Sequence, residues 1–142
     1  MRKLDYDILV EEDYRIENAL IKSVDLSMAD HGHLILAMTL EGGSWGVTYG
    51  GYALGKGYLG ASDFKGSAAG TEYLMRIMDT VGVEKFQDLK GKYVRVALKG
   101  HSSPVKIIGN VLKDQWFDAE SFFQWHEDRV MNKELELREE ND

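Results

Sequence analysis

The sequence predicts an α+β fold, an antiparallel sheet of about five strands with one inserted helix and one C-terminal helix. Three observations lead there. Residues 20–26, 34–40 and 92–98 alternate or run apolar at strand length and are separated by turn residues. Tyr73, Leu74, Ile77, Met78 and Val81 recur at helical spacing and stop at Gly82. Asp118 precedes a second helical pattern as a capping residue.

Taken in order, residues 1–14 read as a polar arm or short helix, anchored only by Tyr6, Ile8, Leu9 and Val10. The first strand places Leu20, Lys22, Val24 and Leu26 on one face. Asp30-His31-Gly32-His33 is a turn, 34–40 a second strand, and the glycine-rich stretch from Gly42 to Leu54 a third, completing a meander. Residues 55–67 lack periodicity and read as a long loop. After the helix, 92–98 forms a strand with Tyr93 and Arg95 on one face and Val94 and Val96 on the other. His101-Ser102-Ser103-Pro104 turns the chain, and 105–112 returns as the last strand, with Gly109 a bulge or close-packing point. One domain spans 15–131, and the acidic tail, 132–142, should fray beyond Leu137.

Composition excludes several classes. At 142 residues the chain can bury a core without staples, and with no cysteine it has neither disulfides nor thiolate chemistry. No apolar run has the length of a membrane span or leader, so a soluble, cytoplasmic protein is expected, with no membrane partner. Acidic residues number 24 against 17 basic, a net charge of −7 that argues against a nucleic-acid partner. A small phosphate ligand needs only two or three local cations and remains open. Gly55-Lys56-Gly57-Tyr58-Leu59-Gly60 matches the dinucleotide fingerprint by letters, but no helix opens at its third glycine. His31 and His33 lack a third metal ligand, and His101, Ser102 and Ser103 lie adjacent in sequence, unlike members of a catalytic triad. No cofactor, metal or catalytic residue is expected.

A ligand face is the remaining candidate. Ten of the fifteen glycines fall between Gly42 and Gly70, a density that calls for positive φ angles or close approach to the backbone. Aromatic residues interleave with them. Trp45, Tyr49 or Tyr73 could stack on a planar base, Asp30 and His31 could hydrogen-bond it, and Arg76 and Arg95 could grip phosphates through paired N–H groups. Lys92 and Lys99 extend that positive set. The plain alternatives are core aromatics, turn histidines and solvated arginines.

Ile16-Glu17-Asn18-Ala19-Leu20-Ile21-Lys22-Ser23, Asp30-His31-Gly32, the Gly42 to Leu54 stretch, Gly91-Lys92-Tyr93-Val94-Arg95-Val96 and Ile108-Gly109-Asn110-Val111-Leu112-Lys113-Asp114-Gln115-Trp116-Phe117-Asp118 stand in an order and spacing that resemble a family of small phage and prophage proteins. The chain most resembles the phage anti-Thoeris sponge proteins, which sequester cyclic ADP-ribose signals made by bacterial TIR-domain enzymes. The resemblance covers roughly residues 16–118. It implies a homodimer or higher homo-oligomer, nucleotide pockets at subunit interfaces, binding without cleavage, and action in the cytoplasm of an infected bacterium. The rival expectations are a protein-binding inhibitor of a bacterial defence complex, of anti-CRISPR or DNA-mimic type, and a small nucleotide-processing enzyme.

Overall fold

The computed structural model describes residues 1–60, 62–100 and 104–141, apart from the side chains of residues 29, 30, 129–132, 134, 140 and 141. The expected turn at His101-Ser102-Ser103 therefore lies outside the described residues. Among the described residues seven strands form one curled antiparallel sheet, two more than the sequence predicts. They are β1 (Arg15–Asp30), β2 (His33–Glu41), β3 (Gly46–Lys56), β4 (Lys65–Gly66), β5 (Tyr93–Leu98), β6 (Ile107–Gly109) and β7 (Trp116–Asp118). The helices are α1 (Tyr6–Glu11), α2 (Ala68–Val81) and α3 (Ala119–Asn141), with a 3₁₀ turn at Phe86–Leu89.

The two added strands have local causes. β4 is a two-residue pairing of Lys65 and Gly66 with the end of β3, inside the stretch expected to be loop. β7 exists because the expected strand at 105–112 breaks at Asn110. There the side-chain oxygen accepts from the Leu112 and Lys113 amides at 2.8 and 2.9 Å, a local turn that competes with the ladder.

The sheet runs β4-β3-β2-β1-β5-β6-β7, and a parallel bridge from Tyr49 of β3 to Val105, just ahead of β6, brings its two sides together. The first half of β1 pairs with β5 and the second half with β2. Five strands thus close in the order β3-β2-β1-β5-β6, with α2 inserted between the third and fourth of them in sequence, the connectivity of an OB-type barrel.

Closing so small a barrel demands sharply bent strands, and the sequence supplies two devices. In β3 the register against β2 slips around Gly50, where Gly50 and Gly51 have φ of 111° and 92°. In β1 an irregularity between Ile21 and Ser23 absorbs Lys22. That irregularity corrects the expected facing. Val24 pairs with fully buried Met38 while Leu20 pairs with exposed Glu41, so the two do not share a face, because a one-residue slip inverts the alternation. His31 and Gly32, at φ 52° and 77°, make the two-residue hairpin between β1 and β2, with the positive φ at both positions that a type I′ turn requires.

The main core is built from Ile21, Leu36, Met38, Leu40 and Tyr49 of the meander, Val94, Val96 and Ile108 of the second half, and Tyr73 and Ile77 of α2. Ser67 caps α2, accepting from the Gly70 amide at 2.8 Å, and Gly82 ends it in the left-handed conformation. Gly70 lets α2 lie on β3, since a Cβ there would stand 2.8 Å from the Leu54 Cα. Asp118 caps α3 as expected, accepting from the Ser121 amide at 3.2 Å, and Phe122 enters the core. Beyond its first turns α3 continues helical through Asn141, past the point where fraying is expected.

The N-terminal arm is better anchored than its polarity implies. Asp5 caps α1 through the Ile8 amide at 2.8 Å, and Leu4 and Leu9 bury against Ala97 and Ile107 in a second small core. Arg2 adds a two-pronged pair with Glu12, at 2.8 and 2.9 Å. No described helix is long and apolar enough to cross a membrane.

Candidate ligand cleft

A cleft of about 500 Å³ opens where the β5–β6 connection meets the start of α3. Tyr14, immediately before β1, supplies an aromatic wall. Lys99 leaves the end of β5 and holds its ammonium 4.8 Å from the centre of the Tyr14 ring, a cation–π distance. Lys106, just before β6, is ion-paired with Glu120 on the first turn of α3. The Glu120 hydrogen bond and charge raise the Lys106 pKa, so its ammonium stays protonated at neutral pH. The Ala119 amide donates to the Lys106 carbonyl at 3.0 Å, which fixes α3 against β6.

Asp118, Ser121 and Gln124 complete the polar lining, and Ala97, Ile107 and Pro104 the apolar part. Asp118 is already engaged, because its two oxygens accept from the Ser121 amide and hydroxyl at 3.2 and 3.1 Å. Among the described residues the cleft lining carries Lys99 and Lys106 against Asp118 and Glu120, a local balance of zero in a chain of net charge −7. An anion entering here meets no net repulsion from the lining, while carboxylates beside the ammoniums can accept from hydroxyl or amino groups. The volume falls within the range of small-molecule sites.

The residues singled out from sequence are dispersed by the fold. Tyr49 and Tyr73 have no exposed surface and stack on each other in the core, ring centres 6.5 Å apart, so they offer no face to a ligand from solvent. Trp45 closes the β2–β3 hairpin, its ring against Gly42 and its carbonyl accepting from the Gly42 amide at 2.8 Å. Arg76 pairs with Glu72 at 2.7 Å and lies over the Phe122 ring at 5.4 Å, tying α2 to α3. It also lines a smaller cleft of about 220 Å³ with Arg2, Asp79 and Thr80.

Arg95 is occupied structurally. Its Nε donates to the Asn110 carbonyl and its Nη2 to the Lys113 carbonyl, both at 2.7 Å, while its guanidinium stacks 4.4 Å over Trp116. This corrects the expectation of a free phosphate-binding arginine. Asp30 and His31 sit at the β1–β2 turn, His31 exposed, and the Asp30 side chain lies outside the described ones. Of the extended positive set only Lys99 reaches the large cleft. Tyr14 and Lys106 line this cleft as well, outside the residues that the sequence singles out. The available signal was that Lys99 and Lys106 flank one connection, so any hairpin there brings both to its base.

Among the described residues no three metal-ligating side chains converge. Neither a family model, nor a curated protein, nor a solved structure matches the chain.

The two core tyrosines have a consequence for stability. Among the described residues neither hydroxyl has a hydrogen-bond partner, although each perturbs the ionisation of the other. Burial raises the pKa of both well above the ordinary tyrosine value. A raised folded-state pKa confers stability that is complete below about pH 10, where unfolded tyrosine titrates, and is lost as pH climbs above it. Denaturation at pH 8 and pH 11 should therefore show a loss of up to about 1.4 kcal/mol per pH unit per buried tyrosine above about pH 10. Replacing both, Tyr49→Phe with Tyr73→Phe, should abolish that part and leave neutral-pH stability unchanged or raised, since each phenylalanine removes an unsatisfied buried hydroxyl. An unchanged alkaline slope in the double variant would contradict the assignment.

Proposed function

We propose that the protein binds a cyclic nucleotide signal of the cyclic ADP-ribose type and holds it without cleavage, acting as a phage counter-defence sponge in the bacterial cytoplasm. The observation that carries the chemistry is the locally neutral cleft in which Lys99, Lys106 and the Tyr14 ring face one space. Two ammoniums suit a diphosphate, the ring suits a base, and Asp118 and Glu120 suit ribose hydroxyls or an exocyclic amine. The family resemblance supplies the choice of nucleotide. Sequestration needs only tight binding and enough copies, by mass action.

Self-association belongs to the same reading. Leu59 and Leu112 are 88% and 92% exposed, apolar surface that a second copy would cover. Light scattering at micromolar concentration should give at least a dimer mass.

The test is calorimetric titration of cyclic ADP-ribose into the parent, Lys99→Ala and Lys106→Ala, followed by heating to recover the ligand. Each variant should bind about tenfold more weakly or worse, because a charge-assisted hydrogen bond contributes about 1.5 to 3 kcal/mol. Intact nucleotide should be released. Recovery of a cleaved product would replace the sponge by an enzyme. If the parent binds no nucleotide, the reading passes to the protein-binding inhibitor, which the exposed charged side chains of Lys133, Glu136, Arg138 and Glu139 on α3 favour.

A further inference from the structure

At the opposite end of β3 from Trp45, strand register assembles a row of basic side chains. His33 of β2 pairs with Lys56 of β3, and Lys56 pairs in turn with Lys65 of β4. Directly opposed residues in antiparallel strands project from the same face, so the three groups stand side by side. Like charges directly opposite each other destabilise a sheet, and both lysines are exposed. Among the described residues neither Lys56 nor Lys65 has an ion-pair partner.

A cleft of about 240 Å³ opens beside them, lined by Lys56, Gly57, Tyr58, Asp63 and Lys65. Its charge, two lysines against one aspartate, is +1 in a chain of net charge −7. The loop that makes it is held on both sides. The Gly57 amide donates to the Gly32 carbonyl at 2.7 Å, and the Phe64 ring lies against Gly57, where any side chain would collide with it. Tyr58 stands exposed at the rim, its ring near Gly32. β4 consists of the two residues that place Lys65 opposite Lys56, so this short strand creates the juxtaposition.

We propose that Lys56 and Lys65 form a binding site for a phosphate group, free or carried by a nucleotide, separate from the cleft at Lys99 and Lys106. A phosphate bridging the two ammoniums turns a repulsive cross-strand pair into two charge-assisted contacts. The exposed Tyr58 ring offers a stacking surface to a base attached to that phosphate. The assignment is independent of the cyclic-nucleotide reading, and a phosphate site can stand or fall without it.

The experiment is an amide-resolved NMR titration of the full chain at low ionic strength, with inorganic phosphate in one arm and AMP in the other. Saturable shifts are expected at Gly57, Tyr58 and Lys65 in the parent. Lys56→Gln and Lys65→Gln should each weaken binding about tenfold or more. Without phosphate both variants should melt at or above the parent's temperature, since each removes a like-charge pair. Lys99→Ala should leave these shifts unchanged, which separates this site from the larger cleft. Tighter binding of AMP than of phosphate assigns the group to a nucleotide, and equal binding assigns it to the free ion. Unsaturable shifts, variants that bind like the parent, or variants that melt lower without phosphate would overturn the proposal.

Discussion

Gly50→Ala should cost the fold about 3 kcal/mol or more, seen as a fall in Tm of about 10 °C or more. Two penalties act at once. Gly50 has φ 111°, where an alanine is strained, and a Cβ there would run into the backbone carbonyl of Leu36 on the neighbouring strand. Neither can relax alone, because Gly50 pairs with Ala37 at the slip that bends β3 and brings Tyr49 to Val105. Gly51→Ala is the internal control. It shares the positive φ, at 92°, but has open space around it, so only the conformational penalty of about 1 to 2 kcal/mol should remain. Thermal melts of the two variants check the difference. Equal small losses would mean that the bend in β3 does not close the barrel.

Asn110→Ala should be nearly as damaging, at about 2 to 4 kcal/mol by urea denaturation. Its side chain serves two elements. The amide nitrogen donates to the Thr80 carbonyl at 3.0 Å, at the end of α2, while the oxygen accepts the two amides that turn the chain from β6 to β7. Arg95 clamps the same turn from β5 through the Asn110 and Lys113 carbonyls. Arg95→Ala should cost about 2 kcal/mol, and the double variant less than the sum, since both hold one turn. Losses within about 0.5 kcal/mol for Asn110→Ala would show that the turn forms without it.

Much of the fold was legible because local pattern and tertiary packing agree. The α2 periodicity, the Gly82 stop, the Asp118 cap and the facing of Tyr93 and Arg95 against Val94 and Val96 all follow the sequence. The glycine-rich stretch does contain positive φ angles, at Gly50, Gly51 and Gly60. What the sequence hides are events decided by a single residue in three dimensions. Lys22 inverts the facing of the strand around it, and Asn110 divides one expected strand into two.

The candidate site was legible only in its chemistry. Aromatics and cations do line the cleft, but composition cannot say which tyrosine is buried. Tyr49 and Tyr73 fill a core that closes only when the sheet curls, while Tyr14, outside the glycine-rich stretch, reaches the cleft. Arg95 was open to a ligand role until the turn at 110–115 supplied two carbonyls for its guanidinium. Both outcomes depend on contacts far apart in sequence, which periodicity does not encode.

The most direct measurement of the central claim is an amide NMR titration with cyclic ADP-ribose. The cleft at the β5–β6 base predicts saturable shifts concentrated at Tyr14, Lys99, Lys106 and Ser121. Saturable shifts centred instead on Trp45 or on the cleft beside Arg76, with those four residues still, would contradict it.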